Sequence, residues 1–209
     1  MIIDMLLLLA FSTGLGGYIP SPFDDDDLVL GFRVFGGLCL MIFLFYLAMV
    51  PLRLGFDISS YGVAGLATVG LGVLAMRLRL SRVSRLIVVH PAVLLPVAIV
   101  LVRIHHGPVE FAPYGWDTYA NWLMHSKQIW LTNDFWRDDV QTPAKGYPPG
   151  WHLMIAFTAS LRGSFQTANT IALPSVIHIA LLGLVFDTVV RWLQHNDNRL
   201  VRSTTFWTL

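Results

Sequence analysis

Ile58–Met76 runs nineteen residues without one charged side chain, close to the ~20 apolar residues a helix needs to cross a hydrocarbon core of about 30 Å. A chain built around such a run has lipid as its solvent. Four further stretches read the same way: Leu28–Val50, Leu86–Ile104 and Thr170–Leu193, with Met1–Tyr18 as a weaker fifth. Of the whole chain, 55% is hydrophobic and 13% charged, about half the charge of a soluble domain. The apolar residues come in continuous runs and not in short alternating segments, which argues against a transmembrane barrel. The expectation is an all-α polytopic transmembrane bundle.

Met1–Tyr18 lacks a basic leader and is interrupted by Asp4, so it is read as a retained span or a membrane-lying helix and not as a cleaved signal. The single cysteine, Cys39, lies inside an apolar run and gives neither a disulfide framework nor a thiolate metal site. Asp24–Asp27 reads as a solvated turn. Ala64, Thr68 and Gly72 fall four apart, a spacing that lets helices approach closely. Pro91 and Pro96 are expected to kink the following span. Arg33 and Arg103 are expected to snorkel to headgroups. Asp187 and Arg191 stand four apart and suit a local ion pair, and His178 reads as a hydrogen-bonded interior histidine.

Charge placement orients the chain. Arg77, Arg79, Arg82 and Arg85 crowd one short connector, which the positive-inside rule puts in the cytoplasm. Residues 105–150 then face outward. Arg191, Arg199 and Arg202 follow the last span and also favour the cytoplasm. Both demands are met if Trp151–Leu161, too short to cross, lies at the outer surface. The chain thus divides into spans at 1–104, an external loop at 105–150, and a juxtamembrane helix, final span and basic tail at 151–209.

The loop is where function is sought, because long connectors between packed elements are uncommon without one. From Asp117 its pattern turns helical: Asp117, Thr118, Asn121, His125 and Gln128 share one face, and Tyr119, Leu123, Met124, Trp130 and Leu131 the other. This is expected to be an amphipathic helix on the outer leaflet, with Trp116, Trp122, Trp130 and Trp136 at headgroup depth. Asp117 stands where an N-cap would stand. It could equally deprotonate a hydroxyl or help to hold a divalent cation. Asp134, Asp138 and Asp139 are further carboxylates, in a setting that reads as a solvated turn. His105 and His106 read as water-facing residues at a helix end. Tyr147-Pro148-Pro149-Gly150 excludes helix before Trp151.

An outward loop that opens with Trp116-Asp117…Trp122…Lys127 and closes with Tyr147-Pro148-Pro149-Gly150-Trp151 resembles the first external loop of GT-C superfamily glycosyltransferases. The likeness covers about residues 103–191. It implies transfer of a sugar from a polyprenyl-phosphate donor to an acceptor at the outer face of a bacterial cytoplasmic membrane, with Asp117 as the catalytic carboxylate. Arg103, Lys127 and Lys145 would then neutralise the carrier phosphate, and Trp116 and Tyr147 would line the substrate site. Family members are usually longer and carry a second external loop, so the expectation is the N-terminal portion of such an enzyme, inactive by itself and completed by further spans or a partner subunit. The alternatives are a transporter or lipid-handling protein, whose loop gates a path, and a non-catalytic membrane subunit. No nucleic-acid partner is expected, and the metal stays open.

Overall fold

The computed structural model describes residues 2–20, 29–80, 90–106, 122–134, 150–166 and 169–206. Among them are seven helices and no strand: α1 (Ile2–Gly16), α2 (Leu30–Met49), α3 (Phe56–Leu80), α4 (Pro91–His106), α5 (Met124–Thr132), α6 (Gly150–Arg162) and α7 (Asn169–Phe206). Within them Leu30–Met49, Phe56–Met76 and Ala172–Leu193 are long and apolar enough to cross a membrane. The protein is an all-α helical membrane bundle. Its backbone polar groups are paired inside each helix, the condition lipid imposes on any crossing segment.

α1 lies along α2 and α3 and runs antiparallel to α2. Arg33 near the start of α2 donates from Nη1 to the carbonyl of Gly16 at the end of α1, at 3.0 Å. Arg33 is therefore buried and does not snorkel; its charge sits at the negative end of the α1 dipole. The same end of the bundle holds His90 and Asp187, joined at 2.9 Å. At the opposite end, each carboxylate oxygen of buried Asp4, in the first turn of α1, accepts from Arg162 Nη1, at 3.1 and 3.0 Å. There the carbonyl of Asn133, just past α5, accepts from the Phe56 backbone N–H at 3.0 Å. Asp4, Arg162, the α2–α3 turn and α5 thus share one end; Arg33, His90 and Asp187 share the other.

Several sequence expectations change. The small-residue face of α3 is not Ala64–Thr68–Gly72: a Cβ at Gly62, Gly65 or Gly72 would meet nothing. The close approach is made by Ala67 and Gly70 against Gly14 of α1 and Gly17 just past its end, where a Cβ would strike backbone. Pro91 opens α4 and kinks nothing, since a missing N–H costs nothing at a first helical position; Pro96 alone lies inside it. His178 is exposed and bonds the Pro174 carbonyl one turn back, at 2.7 Å. Asp187 engages His90 and the Phe32 backbone N–H, contacts made across helices and not along one.

The largest change concerns α6. With 13 residues it is too short to cross, yet it does not lie on the surface. Residues 152–159 are all buried, and Phe157 packs edge-on against Phe11 of α1 and Phe45 of α2 at centroid distances of 5.7 and 5.4 Å. A helix apolar on every side belongs inside a bundle.

Candidate functional site

α5 is the described part of the loop between α4 and α6. Positions 122, 125, 126 and 129 recur at i, i+3, i+4 and i+7, which places them on one side of a helix. His125, Ser126 and Ile129 are buried there, with α5 packed on α6. The side expected to meet water therefore meets protein, while Met124, Lys127 and Leu131 point out of the bundle. Asn133 ends the helix in the left-handed conformation, φ 58°, a position Asn tolerates better than most residues.

Under α5 sits an aromatic cluster that the residue pattern did not single out. His152 of α6 is fully buried. Its ring lies 4.4 Å from that of His125, and Trp122 stacks on it at 5.2 Å and 25°. Trp122 also lies 5.5 Å from Trp151. Among the described residues neither His152 ring nitrogen has a hydrogen-bond partner of good geometry. Burial pushes its pKa down from 6.5 to about 4; the neighbouring His125 adds to this, and the Trp122 backbone opposes it weakly. Desolvation penalises the imidazolium, so His152 is a neutral imidazole at pH 7. The clue in the sequence was a lone histidine set in the apolar run after Gly150.

The pair is ill suited to chelation. Imidazole lone pairs lie in the ring plane, and rings overlapping at 36° do not aim them at one point. Among the described residues no group of three or more His, Cys, Asp or Glu could hold a metal. The His90–Asp187 pair is also structural: His90 Nδ1 accepts from the Ala92 N–H at 3.0 Å, so Nε2 carries the hydrogen given to Asp187. Neither nitrogen remains to act as a base.

Of the residues named from sequence, Lys127 is exposed on α5. Arg103 belongs to α4, its side chain lying outside the described set. Asp117, Trp116, Lys145, Tyr147, Asp138, Asp139, Trp136, the Asp24–Asp27 run, and Arg82 and Arg85 also lie outside it. The tryptophans that follow the two ends of the motif are described, and they meet. Asp117 stands five residues before Trp122, and Tyr147 four before Trp151, and those two tryptophans touch.

No protein-family model matches the chain, and no curated protein or solved structure matches it either.

Proposed function

We propose that this protein is a membrane glycosyltransferase of the GT-C kind, moving a sugar from a polyprenyl-phosphate donor to an acceptor at the outer face of a bacterial cytoplasmic membrane. The observation that carries the reading is the junction of Trp122 and Trp151 at 5.5 Å. A single site built from the Trp116-Asp117 and Tyr147 segments requires the helices that follow them to meet, and Trp122 and Trp151 do meet. In the reaction, the Asp117 carboxylate takes the proton of the acceptor hydroxyl as that oxygen attacks the anomeric carbon. The bond from that carbon to the phosphate oxygen breaks, and the polyprenyl phosphate leaves with the electron pair. Arg103, Lys127 and Lys145 offset its growing charge, which cations at headgroup depth are placed to do. Transport finds less support, because His178 faces out of the bundle and lines no path through it.

Asp117→Asn separates capping from catalysis, since Asn caps a helix as well as Asp but cannot accept the proton. In membranes that hold the chain together with the spans or subunit that complete the enzyme, supplied with a polyprenyl-phosphate-linked sugar, the variant is expected to insert normally and to lose transfer by about 100-fold or more. Full transfer by the Asn variant would reduce Asp117 to a cap.

A further inference from the structure

α5 is fastened unevenly to the rest of the bundle. At its far end Ile129 is fully buried and Trp130 lies 6.0 Å from the ring of Phe165. Asn133 adds two backbone ties: its carbonyl accepts from the Phe56 N–H and its side-chain oxygen from the Asp57 N–H. The near end is held by rings. Trp122 and His125 meet His152 of α6 at 5.2 and 4.4 Å, and Trp122 meets Trp151.

Such a contact tolerates His152 only as a neutral imidazole. Its side chain is fully buried, and a proton there would put a cation in apolar surroundings beside a second imidazole. His125, from α5, is the titratable group that acts on it. The other described charges on the helices packed against α6 lie elsewhere. Asp4 of α1 is bound to Arg162, ten residues and so about 15 Å along α6 from His152. Lys127 points out of the bundle, and Asp57 and Asp134 belong to the fastened end of α5. Arg33 and Asp187 mark the opposite end of the bundle, and His178 is exposed.

Parting the rings lets water reach His152 and returns its pKa from about 4 toward 6.5. The parted arrangement thus binds a proton that the closed one refuses, and acid favours it between those two values. We infer that α5 is an acid-opened lid on α6: it pivots on its fastened end, Ile129–Asn133, and protonation at the His125–His152 contact swings Trp122 and His125 away from Trp151 and His152. The lid opens locally, because α6 is the described helix on which α5 chiefly packs. It is independent of the glycosyltransferase reading, since neither Asp117 nor any of the phosphate-neutralising cations takes part in it.

The test is the reactivity of a buried thiol in the full chain in neutral detergent. In a Cys39→Ala background, Ser126→Cys places a thiol on the buried side of α5, Leu131→Cys an exposed one on the same helix, and Ser60→Cys a buried one on α3. The probe is dithiodipyridine, which reacts with thiols in acid as well as at neutral pH. The rate at 126 relative to 131 should rise about 30-fold from pH 7.5 to pH 5, the factor set by pKa values of about 4 closed and 6.5 open. It should also exceed the rate at 60 throughout, as a local opening requires. His152→Phe, which can still stack on Trp122, and His152→Met, neutral at every pH, should each abolish the rise. A ratio unchanged by pH would overturn the lid. So would equal rates at 126 and 60, which would mean that the whole fold opens together, or a rise that survives in either His152 variant.

Discussion

His152 shows how much one buried side chain can govern. With a folded-state pKa near 4 against 6.5, the unfolded chain binds a proton between those values that the folded chain refuses. Stability therefore rises with pH across this window: the contribution is complete above pH 6.5 and is lost as pH falls to about 4. The shift corresponds to a loss on the order of 3 kcal/mol. Thermal unfolding in detergent should show a melting temperature lower at pH 4.5 than at pH 7.5. His152→Phe, apolar and able to stack on Trp122, should flatten that dependence. An unchanged pH profile in the Phe variant would place the acid sensitivity elsewhere. The Asp4–Arg162 pair is a different case at the same scale: each charge faces the helix end of opposite sign, and the pair ties α6 to α1.

Among elements, the crossing of α1 and α3 decides the packing. Ala67 and Gly70 meet Gly14 and Gly17 backbone to backbone, and lipid-embedded helices approach closely where small residues face one another. Gly70→Val should cost about 2–3 kcal/mol through overpacking, whereas Gly62→Ala, Gly65→Ala and Gly72→Ala should be harmless or mildly stabilising. Melting followed by circular dichroism would compare the four. Equal loss from Gly62→Ala and Gly70→Val would mean that the outer face of α3 is also packed. The sequence showed that α3 is rich in small residues but not which phase of the helix matters. Small residues occur on both sides of α3, and the partner glycines lie more than fifty positions away. Arg33 was misread for a similar reason: nothing near it in sequence announces the end of α1. α5 was legible as a helix, but its buried side depends on α6, whose histidine and tryptophan fit against it.

At the scale of the whole molecule, the apolar runs were enough to find the three helices long enough to cross, because crossing lipid is a local property of some twenty residues, whereas the runs read as spans at Leu86–Ile104 and Met1–Tyr18 gave the shorter helices α4 and α1. The position of α6 was not local. Its length ruled out crossing, but only the surrounding helices decide between the bundle surface and its interior. The functional reading depends on the resulting arrangement: α5 and the end of α4 at one end of the bundle, the end of α3 and the start of α4 at the other. This can be measured in a Cys39→Ala background, which removes the one native thiol. Single cysteines would be placed by Arg82→Cys, Asp134→Cys and Gln166→Cys and exposed to a membrane-impermeant maleimide. The account predicts labelling at 134 and 166 in intact cells, and at 82 only after permeabilisation. Labelling at 82 in intact cells, or 134 and 166 reporting opposite sides, would contradict it.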